Sequence, residues 1–166
     1  MKKCYFAGGC FWCISGPFYT LDGVLKVESG FSGGDEDNPK YLDVKGGLTH
    51  HRETIAITYD EKVISLDKLV DVYLMNVDPF DGEGQFIDRG ESYTLALFYQ
   101  DEIERKLYLE KIAKLSKETS KKVYIDVLLF KKFFLAEDEH QDFPIKHKKE
   151  YLNELIVSGR RKKWKN

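Results

Sequence analysis

Residues 2–13 read KKCYFAGGCFWC. From Lys2 to Ala7 the side chains alternate, with Cys4 and Phe6 on one face and Tyr5 and Ala7 on the other, the period of a strand. Gly8-Gly9 ends it, and the chain restarts as a helix predicted over residues 10–20, with Pro17 placed to kink it. This order puts Cys10 at a helix N-terminus, where free N–H groups and a partial positive charge favour thiolate over thiol. A depressed pKa and a nucleophilic Cys10 are therefore expected, against the plainer alternative of an inert cysteine in a tight turn. The glycines would let backbone approach a substrate closely.

Further along, VLKVESGF (24–31) alternates with Leu25, Val27 and Ser29 on one face, and TIAITY (54–59) with Ile55, Ile57 and Tyr59. SLDKLVDVYLMNV (65–77) carries an apolar stripe of Leu66, Leu69, Val70, Tyr73, Leu74 and Val77, with Ser65 placed to cap it. A second helix is predicted over 102–117, with Asp101 and Glu104 as a capping box and Ile103, Leu107, Ile112 and Leu115 as its stripe. YTLALFY (93–99) and VYIDVLLF (123–130) read as strands. The alternation of strands and helices suits an α+β fold, a mainly antiparallel sheet flanked by helices. The long loops at 30–53 and 78–92 are rich in Gly, Asp and His and are natural places for a site.

The 26 basic and 28 acidic residues nearly cancel, so no global field draws the chain to nucleic acid or a membrane. No apolar run approaches a membrane span, and the start MKKCYFAGGC is too short for a signal-peptide core. A cytoplasmic monomer is expected, with one domain over residues 1–157 and a solvated basic tail over 158–166 ending in RRKKWKN.

The three cysteines sit at 4, 10 and 13, too clustered for a stapled secreted scaffold. Cys13 lies within disulfide reach of Cys10 across one helical turn, or else is a small apolar filler. Cys4 reads as core. Zinc would need two further ligands from His50, His51, His140 or His147, and no spaced pair offers them, so neither metal nor cofactor is expected.

Several blocks, taken in order, resemble the A-type peptide methionine sulfoxide reductase family: GCFWC (9–13), ESGFSGG (28–34), NPKYLDV (38–44), THHRETIAITYD (49–60), DGEGQFIDRGESY (81–93) and FFLAEDEHQDF (133–143). The resemblance runs from about residue 4 to 143. It implies a ferredoxin-like α/β plait forming a single catalytic domain, and reduction of the S epimer of methionine sulfoxide. As a general rule of sulfoxide repair, each sulfur epimer has its own enzyme. The resemblance makes Cys10 the nucleophile, Phe11 and Trp12 the wall receiving the substrate methyl, and Glu53 a buried acid. Phe31, Tyr41, Asp88 and Tyr93 complete the pocket, and His140 and Gln141 give structural support. The chain departs from the family pattern at several positions. Phe31 stands for a usual Tyr, Thr94 for a frequent Arg, Lys45 for a cysteine of some members and Cys13 for a Gly, and the tail has no recycling cysteine.

The chemistry fits those residue types. Sulfoxide oxygen is a poor leaving group, so reduction needs a thiolate at sulfur and an acid at oxygen. Glu53, if buried, would have a raised pKa and arrive protonated. Tyr93 would add a hydrogen bond to the oxygen, partly covering the hydroxyl missing at Phe31. Cys10 would leave as a sulfenic acid, resolved by Cys13 and recycled by thioredoxin or a similar dithiol. Two other readings of the C-x-x-C compete: a thioredoxin-like disulfide oxidoreductase and a zinc-binding module.

Overall fold

A computed structural model of the chain describes residues 1–160; residues 161–166, most of the expected basic tail, lie outside the described residues. The elements follow as β1 (Lys2–Gly8), α1 (Phe11–Ser15), β2 (Val24–Ser32), α2 (Tyr41–Lys45), β3 (Arg52–Tyr59) and α3 (Leu66–Met75). Next come β4 (Gly84–Gln85), β5 (Asp88–Arg89), β6 (Leu95–Tyr99), α4 (Glu102–Thr119), β7 (Ile125–Leu129), β8 (Phe134–Leu135), α5 (Phe143–Lys146) and α6 (Lys148–Val157). Six strands form one sheet in the order β7-β6-β1-β3-β2-β8, and β4 and β5 make a separate hairpin. Every pair in the large sheet is antiparallel except β6 with β7. The inner four, β6-β1-β3-β2, joined as β1-α1-β2-β3-α3-β6, are the split βαβ plait of ferredoxin-like folds. The fold is thus α+β, as the alternation of periods implies.

The two faces of β1 are covered differently. Phe6 packs against Phe18, Tyr73 and Tyr108, so α3, α4 and the 3-10 turn at Gly16–Phe18 share one side of the sheet. Tyr5 stacks on Phe130 and leans on Phe133, while Ala7, Ala96 and Phe98 form a small cluster on that opposite side. Tyr73 ties α3 to β1 by donating its hydroxyl to the Ala7 carbonyl at 2.7 Å.

Local expectations fail where a neighbour overrules periodicity. The helix predicted over 10–20 is α1 alone; Gly16-Pro17 converts the rest to a 3-10 turn because proline cannot donate to a continuing ladder. Leu25 is half exposed rather than inward, since the β2–β3 register shifts between Val24 and Lys26. On α4 the buried positions are Glu104 and Tyr108, with Leu107, Ile112 and Leu115 half-buried and Ile103 exposed. The expected solvated tail begins instead as packed chain, for Ser158 and Arg160 are both buried.

Topology gathers the loops of interest at one end of the sheet. β1 ends at Gly8 beside the start of β6, with Gly8 paired to Leu95. β3 runs antiparallel to β1 and β2, so its first residues lie at the same end, and Glu53 is paired with Phe31. The strap after β8 returns along the edge of β2. There Gln141 acts as one more rung: its Oε1 accepts from Ser29 N–H at 2.9 Å, and its Nε2 donates to the Ser29 and Ala136 carbonyls at 2.8 and 3.0 Å. Gln141→Leu would strand the buried Ser29 N–H, at a cost of about 1–3 kcal/mol. Thermal melting should show a fall of roughly 3–9 °C in Tm; an unchanged Tm would show that the strap is not fastened there.

Candidate active site

Gly9 makes the turn into α1 with φ +84, a conformation glycine adopts without strain. Cys10 follows as the residue capping α1, and its side chain makes no capping bond. The cap comes from across the sheet: Glu53 Oε1 accepts the Phe11 N–H at 3.1 Å, within the buried interior. Glu53 is itself fully buried, and its Oε2 has no hydrogen-bond partner. Burial therefore dominates its ionisation and pushes its pKa up from 4.5 to about 8; the Phe11 N–H, the Tyr93 hydroxyl and Lys45 pull the other way and Asp88 adds to the rise. At neutral pH Glu53 is a protonated acid one residue from the cysteine.

Cys10 itself departs from expectation. Its pKa is raised well above that of an ordinary thiol, by the hydrogen bond with the Cys13 sulfur first, then by burial and by the negative charge of Cys13, Glu53 and Asp88. The helix that was to depress it is five residues long, and its first N–H is spent on Glu53. Cys10 is 8% exposed and Cys13 1%, both are free thiols, and they cluster with Tyr93 and Leu155 under Trp12 and Tyr151. Cys4 sits apart in the main core.

The aromatic residues converge on Cys10. Phe11 is fully buried, 5.8 Å from Phe31 and 6.1 Å from Tyr41 between ring centroids. Trp12 is only half-buried and stacks on Phe143 at 4.3 Å and 9°. Its indole N–H donates to His140 Nδ1 at 3.2 Å, which fixes the ring's edge. Tyr93 is buried at the end of the 78–92 loop, with its hydroxyl pKa raised by burial and by the charges around it. Asp88 is half-buried at the start of β5; burial raises its pKa, and its Oδ2 has no partner. The catalytic and substrate-binding residues singled out from the sequence thus belong to one neighbourhood, or to loops that lead into it. The 410 Å³ surface hollow lined by Arg52, Glu91, Thr94 and Asp126 contains neither these thiols nor Glu53.

Three contributors escaped the sequence reading. Phe143 stacks on Trp12 from the strap, Gln85 closes the 78–92 loop by bonding both N–H and C=O of Asp78, and Arg160 reaches in from the C-terminal end. Phe143 and Arg160 act through contacts far away in sequence, and Gln85 through a loop closure that no spacing pattern marks.

The donor set gives no support to a zinc clip. His51 is held by Gly34 N–H and the Glu36 carbonyl, and His50 by Glu91. Among the described residues the one grouping of possible ligands is Glu137, Glu139 and His140, and it holds no cysteine. His140 is neutral because burial lowers its pKa, and Nδ1 accepts from Trp12, so the ring proton sits on Nε2. A protonated ring nitrogen facing the glutamates has no lone pair for a cation.

A ferredoxin-like plait that buries two thiols beside a neutral carboxyl has the layout of an oxidoreductase working through sulfur. The chain matches the family described as peptide methionine sulfoxide reductase over residues 2–166. It is 45% identical over 157 residues to the peptide methionine sulfoxide reductase MsrA of Bacillus licheniformis, covering 93% of this chain and 87% of that one. Mxr1 of Saccharomyces cerevisiae in reduced form superposes with a TM-score of 0.83 at 26% identity, over 89% of this chain and 86% of the other. The same yeast protein in complex with Trx2 gives 0.58 at 19% identity, over 83% and 81%. The chain belongs to the peptide methionine sulfoxide reductase family: it is an enzyme that reduces methionine sulfoxide.

Keeping Glu53 neutral has a stability signature. Its folded pKa lies above its unfolded one, so its contribution is fully present below about 4.5 and is lost as pH rises through about 8. The loss approaches roughly 5 kcal/mol as an upper bound. Glu53→Gln cannot ionise, so its melting temperature should exceed that of the wild type at alkaline pH and the gap should close toward pH 4.5. A gap independent of pH would mean that Glu53 ionises freely in the folded protein.

Proposed function

We propose that the enzyme acts on the S epimer of methionine sulfoxide, free and protein-bound, with Cys10 as nucleophile and Glu53 as acid. One observation carries this assignment: a buried, protonated carboxyl hydrogen-bonded to the residue that follows Cys10. Cys10 thiolate attacks sulfur and forms an S–S bond as Glu53 delivers a proton to the oxygen; the hydroxyl then passes to the Cys10 sulfur as the substrate's S–O bond and the new S–S bond break. Sulfur of the substrate is reduced to the thioether, and Cys10 is oxidised to sulfenic acid. Tyr93 donates a second hydrogen bond to the oxygen. Phe31, paired with Glu53 across β2 and β3, adds no hydroxyl there. Phe11 and Trp12, backed by Tyr41 and Phe31, seat the methyl group in an apolar slot, and Asp88 lies at the polar rim. Fixing methyl, oxygen and chain in three different places selects one configuration at sulfur.

The Cys13 thiol then attacks the sulfenic acid, forming the Cys10–Cys13 disulfide and releasing water. Their shared cluster beneath α6 supports this pairing, whereas Cys4 lies in the main core. A thioredoxin-type dithiol returns both thiols, a reading supported by the complex of the yeast fold neighbour with Trx2. The enzyme works as a cytoplasmic monomer, bound to neither nucleic acid nor membrane; no helix among the described residues is long and apolar enough to cross one.

Three measurements test the scheme. Wild type should lose two thiols in one turnover on the S epimer, Cys10→Ser should lose none and release no methionine, and Cys13→Ser should lose one. If Cys13→Ser still loses two thiols and still cycles with thioredoxin, the resolving role of Cys13 fails. The R epimer should react at least about 100-fold more slowly; equal rates would end the epimer assignment. Because free-enzyme groups govern kcat/KM, it should climb about tenfold per pH unit up to about 8 and level off where Glu53 begins to lose its proton. A plateau reached below 8 and a fall above it would show Cys10 ionising below Glu53.

A further inference from the structure

Arg160 is the largest of the fully buried side chains among the described residues, at 1% exposure, yet it was to lie in a solvated tail. Gly159 turns the chain inward after α6 with φ +86. The guanidinium then enters the protein and spends its donors on carbonyl oxygens: Nη1 on Asn76 at 2.8 Å and Nη2 on Gly8 at 2.7 Å. Its flat face lies 4.8 Å over the Phe86 ring. Each partner is tied to the site. Gly8 is two residues before Cys10. Asn76 ends α3 just ahead of the 78–92 loop. Phe86 forms the tip of the β4–β5 hairpin, whose last pair is Gln85 with Asp88.

Two backbone features lie directly against this side chain. Phe86 holds φ +57, a left-handed conformation that costs a bulky residue energy and needs support from outside. A Cβ on Gly9 would lie 2.6 Å from Arg160 Nη2 and 2.7 Å from Gln85 Cβ, so the turn before the nucleophile is cut to admit the guanidinium. Arg160 Nε has no partner, and a buried cation whose bonds all go to carbonyls is a costly way merely to fill space. Its charge also opposes the rise that burial imposes on Asp88, alongside Lys45 and against Glu154.

We propose that Arg160 is a positioning residue of the sulfoxide-reducing site, clamping the Cys10 turn, the end of α3 and the Asp88 hairpin into one geometry from the C-terminal end. The proposal rests on the assignment of Cys10 as nucleophile. Arg160 touches no reacting atom; it sets where Cys10, Asp88 and Tyr93 stand relative to one another. Losing a clamp that holds reacting groups within about 1 Å costs on the order of 100-fold in rate. Arg160→Met removes a buried charge but also leaves the Asn76 and Gly8 carbonyls without these donors, so rates are compared in protein shown by circular dichroism to be folded.

The test is single-turnover reduction of N-acetyl-methionine S-sulfoxide by full-length Arg160→Met, Arg160→Lys and Arg160→Ala. Arg160→Met should react roughly 10- to 100-fold more slowly at saturating sulfoxide, with KM changed far less. Arg160→Lys, which keeps charge and some donors, should fall between. Methylguanidinium should restore Arg160→Ala at least about fivefold, while equal methylammonium or NaCl should not. Wild-type rates in folded Arg160→Met and Arg160→Lys would overturn the proposal, as would a slow Arg160→Ala that methylguanidinium leaves unchanged. If Arg160→Ala does not fold, the order of rates wild type, Lys, Met decides alone: graded loss upholds the clamp, and equal rates refute it. Failure of the nucleophile assignment would show separately, as activity retained in Cys10→Ser with Arg160 intact.

Discussion

The hydrogen bond from the Phe11 N–H to Glu53 joins the two halves of the proposed chemistry. It fastens the first turn of α1, and so the position of Cys10, to the opening of β3 at the far side of the strand pair. It also burdens the fold, because the carboxyl that accepts it is buried with one oxygen unpartnered. A surface glutamate could cap the helix at no such cost, but it would be ionised at neutral pH and useless as an acid toward a sulfoxide oxygen. The same bond takes the helix N–H that would have stabilised a Cys10 thiolate. The free enzyme therefore stores both protons, one on sulfur and one on the carboxyl, and the pair is protected from adventitious oxidation until a substrate arrives.

Burial runs through the rest of the site. Cys10 and Cys13 lie beneath a lid of α6 residues, and the apolar rings around them exclude the water that would otherwise level the pKa differences. Trp12 is the exception, half-open and braced from three sides by His140, Phe143 and Tyr41. A ring so held can present an edge to solvent without losing its orientation. The C-terminal chain closes the arrangement: α6 covers Cys13, and Arg160 stitches the strand that precedes Cys10 to the hairpin across from it.

The sheet was legible because its strands keep clean alternation. β1, β3 and α3 appear where period and capping residues place them, and Ser65 and Asp101 cap their helices as read. Sequence reading erred where a backbone event overrides pattern, as in the bulge at Val24–Lys26 and the break at Gly16-Pro17. On α4 Ile103 faces solvent, because Glu104 turns inward and accepts the Gln100 N–H, just ahead of the Asp101 cap. At the site, the residue types and their blocks were readable, but the sign of the shift at Cys10 was not. A helix N-terminus is visible in sequence; that its N–H is already taken by a residue 42 positions away is visible only in three dimensions. Arg160 was hidden for a related reason, since a basic run reads as solvated unless something shows where one of its members turns inward.

The claim that everything else leans on is that Glu53 carries a proton at neutral pH inside the folded enzyme. Infrared difference spectroscopy of the wild type against Glu53→Gln, followed from acid to alkaline pH, observes that proton directly through the carboxyl stretch. The expected result is a carboxylic-acid band present only in the wild type, surviving at neutral pH and titrating away with a midpoint of about 8. A carboxylate band already complete at neutral pH, with a midpoint near 4.5, would contradict it.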